Sequence, residues 1–108
     1  MRVVYVAHRL SGDWPGNTAA AREFVKHAAH HGVAPVAPYL TLDGLLVEPD
    51  DRELGLEIDL VLLARCDEVW LCGPVISPGM LLELDAARAR GIPVSRWLTV
   101  EGRIEFLP

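Results

Sequence analysis

Apolar residues occur in short continuous runs, separated by longer segments in which apolar positions repeat at a helical spacing. The runs are rich in β-branched and aromatic residues, which is typical of strands covered on both faces. The predicted strands are Val3 to Ala7, Val33 to Ala37, Glu68 to Cys72 and Ile92 to Trp97. The helical spacing predicts helices at Thr18 to His31, Asp50 to about Ala64, and Ser77 to about Arg90.

Each predicted helix begins beside a residue that can cap its first turn. Asn17 or Thr18 can cap the first helix after a loop rich in Gly, Pro, Ser and Asp. Asp50 and Glu53 form a capping-box pattern at the start of the second helix. Ser77, followed by a proline, starts the third.

The alternation of strands and helices predicts one α/β domain over residues 1–108, with a flavodoxin/Rossmann-like, open and mostly parallel sheet. We expect four to five strands with helices on both faces. Pro35 favours a sheet edge for the second strand, and 99–107 is predicted to turn at Glu101-Gly102 into a short edge strand. The connection at 38–49 is long enough to carry function. Ligands of such folds bind beyond the carboxyl ends of the strands.

Composition narrows the function classes. The net charge of -5 argues against a nucleic-acid polymer as partner, because phosphate-backbone binding normally requires clustered Lys and Arg. No signal-peptide pattern is visible and no run reaches the ~18 apolar residues of a membrane span, so we expect a cytoplasmic protein. Cys66 and Cys72 fit neither a zinc nor a redox motif, and His27, His30 and His31 suit a helix C-terminus better than a metal. We expect no metal and no cofactor.

Two carboxylates lie within apolar segments. Glu83 is surrounded in sequence by leucines, and Asp59 shares a predicted helix face with Leu62 and Leu63, whereas Glu57 faces solvent. A pair of carboxylates with separate roles is what cleavage of a glycosidic or N-glycosidic bond requires. The alternative for Glu83 is an ordinary surface glutamate.

Other polar and aromatic residues are expected at the same sheet edge. Ser77 could bind a phosphate at a helix N-terminus, although serine is also a common cap. His8 ends the first strand and can serve either a ligand or the strand end. Trp14 and Tyr39 could stack on a base, or close the core beneath a loop.

Three segments together resemble the nucleoside 2-deoxyribosyltransferase-like superfamily. They are VYVAHRLSGD, APVAPYL and DLVLLARCDEVWLCGPVISPGMLLELDAARARGIPV, which together cover most of the chain. Within the superfamily they are similar to the 2'-deoxynucleoside 5'-phosphate N-hydrolases and to short bacterial and phage proteins of unassigned function. The third segment is the most specific, because an aspartate, a CD-strand, S-x-G and a glutamate follow in order.

The resemblance implies a role for three residues in the reaction. Glu83 matches the nucleophile that attacks C1' of the deoxyribose and displaces the base. Asp59 is similar to the aspartate that handles protons, and Tyr5 to a tyrosine that positions the nucleophile. The implied substrate is a nucleoside or its 5'-monophosphate.

The resemblance also implies a binding site for the 5' side of the sugar. Ser77 and Gly79 match the turn that receives it, and Arg9, Ser11 and Gly12 match a first phosphate loop. Two features depart from the pattern: His8 stands where a small residue is usual, and no serine follows Ser95, where the hydrolases use one from a neighbouring subunit. Family members commonly form homo-oligomers, so we expect one here.

Three hypotheses follow from the sequence. The first is an N-glycosidase or deoxyribosyltransferase that acts through Glu83. The second is a nucleotide-binding or sensing module on the same fold, without turnover. The third is a structural partner in a larger assembly, with Val75 and Ile76 in an interaction patch. One scaffold can host all three functions, so only the geometry and chemistry of the site can discriminate among them.

Overall fold

In a computed structural model that describes residues 1–47 and 49–108, the chain forms a five-stranded sheet with helices on both faces. The strands are β1 (Val3–Ala7), β2 (Ala34–Val36), β3 (Glu68–Cys72), β4 (Val94–Val100) and β5 (Arg103–Leu107). The helices are α1 (Trp14–His30), α2 (Pro38–Thr41), α3 (Arg52–Leu63) and α4 (Pro78–Ala89). The predicted fold class is confirmed.

The strand order is β2-β1-β3-β4-β5, with β1 to β4 parallel and β5 antiparallel to β4. Pro35 lies on an edge strand as predicted, where its missing N–H costs no ladder hydrogen bond. The predicted turn before β5 is also present, with positive φ at Glu101 and Gly102. The strand order reverses between β1 and β3, which opens a crevice at their carboxyl ends.

The two faces of the sheet carry separate cores because side chains alternate along each strand. Tyr5 and Leu71 point towards α3 and α4, where they join Leu63 and Met80 in a buried cluster. On the other face, β1 and β3 pack against α1. The buried residues of that cluster are Val4, Val6, Phe24, Ala28, Val33, Trp70 and Cys72.

The first helix begins earlier than the sequence predicted. Asp13, rather than Asn17 or Thr18, is the N-cap, and its Oδ1 accepts a hydrogen bond from the Gly16 N–H at 3.2 Å. Pro15 in the first turn favours this start because its ring presets a helical φ. The amide of Asn17 instead donates to the carbonyls of the preceding loop, at 3.1 Å and 3.0 Å.

The connection between β2 and α3 also differs from the prediction. It contains the short helix α2, which begins at a proline, and the part of this connection at Glu48 lies outside the described residues. The predicted capping box is wrong, since Asp51 is the N-cap of α3 and makes no side-chain cap hydrogen bond. Its Oδ2 accepts from the Val47 N–H at 2.8 Å and so fastens the connection to the helix start.

Among the described residues, no helix combines the length and the apolar character that a membrane crossing needs.

Candidate functional site

A cavity of about 390 Å³ opens at the carboxyl ends of β1 and β3. Its walls are the loop after β1, the segment from α2 to α3, the inner side of α3 and the start of α4. This volume is within the range of small-molecule pockets. Eight of the ten predicted site residues line it, namely His8, Arg9, Ser11, Tyr39, Asp59, Ser77, Gly79 and Glu83.

Glu83 and Asp59 face this cavity from α4 and α3. Glu83 is only 6% exposed, so the alternative of a surface glutamate is wrong. Oδ1 of Asp59 is buried and has no hydrogen-bond partner among the described residues. Glu57, by contrast, is exposed as predicted.

Both carboxyl groups have a pKa displaced towards neutrality. Burial raises the pKa of Glu83 to about 7, and the negative charge of Asp59 adds to this shift. Burial likewise raises the pKa of Asp59 to about 6. Two neighbouring carboxyls that titrate near neutral pH are suited to nucleophilic and acid–base work, because each can change its protonation state at modest cost.

Tyr5 does not line the cavity but lies fully buried beneath it. Burial and the charge of Glu83 raise the pKa of its hydroxyl, which therefore stays protonated. The hydroxyl lies close enough to Glu83 to oppose the upward shift of the pKa of that carboxyl, although no partner among the described residues meets normal hydrogen-bond geometry. Tyr5 is thus placed to act through Glu83 and not on a ligand directly.

The turn before α4 brings backbone and a hydroxyl to the cavity. Oγ of Ser77 accepts from the Met80 N–H at 3.2 Å, which confirms the predicted cap. A Cβ at Gly79 would meet only Ser77 Oγ, at 3.9 Å, so packing does not require glycine at this position. Because glycine has no side chain, the backbone at this position is accessible from the cavity.

In the loop after β1, the side chain of Arg9 turns back and binds the backbone of the same loop. Nε and Nη2 of Arg9 donate to the Ser11 carbonyl at 3.2 Å and 3.1 Å. Gly12 has a φ of +96°, and a Cβ there would collide with the Arg9 guanidinium. Gly12 therefore shapes the loop and does not itself line the cavity, and its predicted part in a phosphate loop stays a prediction.

His8 packs closely against the turn after β3. Its Nδ1 lies 2.7 Å from the Arg9 carbonyl, an acceptor that requires a proton on this nitrogen. A Cβ on Gly73 would lie 2.8 Å from Nε2, and Gly73 has a φ of +88°, so only glycine fits opposite the imidazole. Burial lowers the pKa of His8 and favours the neutral ring.

The two aromatic residues at the cavity differ in their roles. The Tyr39 hydroxyl donates to the Val6 carbonyl, and its ring lies 6.5 Å from that of Tyr5, so it closes the core. Trp14 is 37% exposed, and its Nε1 donates to Oδ1 of Asp43 at 2.9 Å.

Sequence reasoning missed the apolar wall of the cavity. Leu42, Leu46 and Leu56 contribute to it. The first two follow α2, in a segment that was predicted to be an irregular loop. Together with Leu45 they have the i, i+3, i+4 spacing of one helix face, so this local signal could have identified an apolar surface in the segment.

No group of three or more His, Cys, Asp or Glu side chains suited to a metal occurs within residues 1–47 and 49–108. Nδ1 of His31 lies 2.7 Å from the His27 carbonyl, so this histidine does complement the end of α1. Cys66 and Cys72 are free and buried.

Residues 2–97 match the family model of a domain of unknown function, DUF7768. The chain belongs to the DUF7768 family. Beyond that match, a comparison with curated protein sequences gives no relative. The family description names no activity, so it leaves the role of the cavity open.

Solved structures show which fold this DUF7768 chain shares. A 2-deoxyribosyltransferase from Bacillus psychrosaccharolyticus superposes with a TM-score of 0.64 and 18% identity, over 95% of this chain and 77% of that enzyme. A 2-deoxyribosyltransferase from Leishmania mexicana gives a TM-score of 0.60 and 18% identity, over 93% and 66% of the two chains. The chain therefore has a nucleoside 2-deoxyribosyltransferase-like fold.

Proposed function

We propose that this protein cleaves the N-glycosidic bond of a deoxynucleoside or its 5'-monophosphate, with Glu83 as nucleophile. The observation that carries the proposal is a pair of carboxyls, the buried Glu83 and the half-buried Asp59, in one cavity at the carboxyl edge of the sheet. The shared fold supports it, since both similar structures are 2-deoxyribosyltransferases.

The reaction has two displacements. In the first, an ionised Glu83 oxygen attacks C1', the bond from C1' to the base nitrogen breaks, and its electron pair leaves with the base. Protonated Asp59 supplies the proton that the departing base needs. In the second, water or another base attacks C1', the ester to Glu83 breaks, and Asp59 takes a proton from the attacking group.

The environment of Glu83 suits this chemistry. Positive charge develops at C1' as the base departs, and a carboxylate in a poorly solvated cavity stabilises that charge more strongly than one in water. The pKa of about 7 means that a substantial fraction is ionised at neutral pH. Asp59, with a pKa of about 6, is mostly ionised at neutral pH, so the form that reacts, with Glu83 ionised and Asp59 protonated, is a minority of the molecules.

Tyr5 and the turn before α4 complete the proposed site. Tyr5 would act as a positioning residue, because its hydroxyl lies beside Glu83 but beneath the cavity. Ser77 and Gly79 would receive the 5' side of the sugar. Arg9 and Ser11 would reach a 5'-phosphate only if Arg9 left the Ser11 carbonyl. Tyr39 and His8 would line the sugar pocket.

We further propose that the protein acts as a homo-oligomer in the cytoplasm. Five large apolar side chains of α3 and α4 are exposed, namely Leu54, Val61, Leu62, Leu81 and Leu82. Apolar residues concentrated on two neighbouring helices are typical of an interface. Sedimentation velocity tests this: a single monomeric species at micromolar concentration would overturn it. A reducing compartment would keep both cysteines free.

The test of the activity is chromatography for free base after incubation with deoxynucleosides and their 5'-monophosphates, with and without an acceptor base. Glu83→Gln keeps the volume of the side chain and removes the nucleophile, so we expect at least a ~10³-fold loss of base release. Glu57→Gln, at an exposed position of α3, is the matched control and should leave the rate unchanged. Ligand binding without any release would favour a binding or sensing module instead.

A further inference from the structure

We propose that Asp43, held in place by Trp14, selects a base that carries an exocyclic amino group. This inference rests on the proposed function, because it takes the ligand of the cavity to be a nucleoside. It assigns the recognition of the base to a part of the cavity wall other than the two carboxyls of the proposed reaction.

The contact between Trp14 and Asp43 joins two separate walls of the cavity. Trp14 is the first residue of α1, and Asp43 lies in the segment after α2, where it forms a β-bridge with Leu46. The Trp14 indole N–H donates to Oδ1 of Asp43 at 2.9 Å, and both residues line the cavity. The indole therefore fixes the orientation of a carboxylate at the cavity wall.

The neighbours of this pair suit a base better than a sugar. The two carboxyls of the proposed reaction, Glu83 and Asp59, lie on α4 and α3, and Ser77 caps α4. The segment that contains Asp43 contributes Leu42 and Leu46. Planar aromatic rings bury well against leucine side chains and an indole, whereas a deoxyribose needs partners for its hydroxyls.

Hydrogen-bond chemistry then determines which bases fit. An ionised carboxylate accepts hydrogen bonds and donates none. Oδ1 of Asp43 already accepts from Trp14, and no partner for Oδ2 is found in the part of the chain that the structure describes. A base amino group can donate to Oδ2, but a carbonyl oxygen in the same place would be repelled. Adenine is thus preferred over hypoxanthine, and cytosine over uracil.

Equilibrium binding tests this independently of turnover. In a Glu83→Gln background, which binds without chemistry, calorimetric titration compares deoxyadenosine with deoxyinosine, whose base carries a carbonyl at C6 in place of the amino group. We expect deoxyadenosine to bind about tenfold more tightly, the low end for a hydrogen bond to a charged group because Asp43 is exposed.

Asp43→Asn sharpens the test. The asparagine keeps an oxygen for the Trp14 indole but presents an NH₂ donor in place of Oδ2, so the preference should fall to unity or reverse. Asp50→Asn, outside the cavity lining, should retain the preference.

The outcomes separate this inference from the proposed reaction. Preferential binding of deoxyadenosine, lost in Asp43→Asn, supports the inference even if the unmutated protein releases no base. Base release with equal affinities for the two nucleosides would support the reaction and overturn the inference. Binding of neither nucleoside, or a preference unchanged in Asp43→Asn, would also overturn it.

Discussion

The two faces of the sheet are built from the same strands but perform different tasks. Towards α1 the buried cluster is apolar and aromatic and includes Phe24 and Trp70, with no buried carboxylate among the described residues. Towards α3 and α4 the apolar cluster adjoins Glu83, Asp59 and the Tyr5 hydroxyl.

The two faces show how a small domain can accommodate carboxyl groups that are costly to bury. Burying a carboxyl without a full set of partners costs free energy, which the folded state recovers elsewhere. The α1 face supplies ordinary close packing. On the opposite face, Oδ1 of Asp59 has no hydrogen-bond partner within the part of the chain that the structure describes, and the pKa of Glu83 is raised. Mutations on the two faces should therefore have opposite effects on stability.

The largest effect on stability is expected on the α1 face. Phe24→Ala removes a ring that is 2% exposed and leaves a cavity, so the free energy of unfolding should fall by about 3–5 kcal/mol. Chemical denaturation measures this change. Lys26→Ala, exposed on the same helix, is the control and should change stability by less than about 0.5 kcal/mol. A small change for Phe24→Ala would show that α1 packs loosely.

On the opposite face, Glu83→Gln should stabilise the protein. The pKa of Glu83 is raised on folding from its ordinary 4.5 to about 7, so the folded state resists ionisation and stability falls as pH rises through this window. At about pH 8 the variant should be more stable by roughly 3 kcal/mol, and near pH 4 the difference should vanish.

Denaturation curves at both pH values measure this effect, with Glu57→Gln as the exposed control. Destabilisation by Glu83→Gln at the higher pH would mean that the carboxylate is well partnered in the folded state. Mutations on the two faces of the sheet would then not have opposite effects on stability.

The smallest expected effect concerns Tyr5. Tyr5→Phe removes only a hydroxyl, for which residues 1–47 and 49–108 offer no partner of normal geometry, so stability should change little. The hydroxyl lowers the pKa of Glu83, and its loss should move that pKa, and the acidic limb of the pH–rate profile, to higher pH. An acidic limb at the same pH in Tyr5→Phe and in the unmutated protein would show that the Tyr5 hydroxyl does not influence the pKa of Glu83.

The sequence predicted most of the fold because strand and helix periods were clear. β1 and β3 have the predicted bounds, and α4 begins at the predicted cap, Ser77. The start of α1 was placed too late, since Asp13 and Pro15 act together in a segment whose glycines and proline suggested a loop.

The candidate site was only partly predictable. Motif order placed Glu83, Asp59 and Ser77 at one edge, where the structure brings them together. The contact between Trp14 and Asp43 spans 29 positions and has no local signature, because it depends on how two connections meet above the sheet. Burial of the Tyr5 hydroxyl likewise emerges only from packing.

The most direct test of the central claim is mass spectrometry of the intact protein, quenched within milliseconds to seconds of mixing with a deoxynucleoside that it cleaves. We expect a transient mass increase of one deoxyribosyl unit, located on the peptide that contains Glu83 and absent in Glu83→Gln. Base release by Glu83→Gln at the rate of the unmutated protein, or an adduct on a different residue, would contradict it.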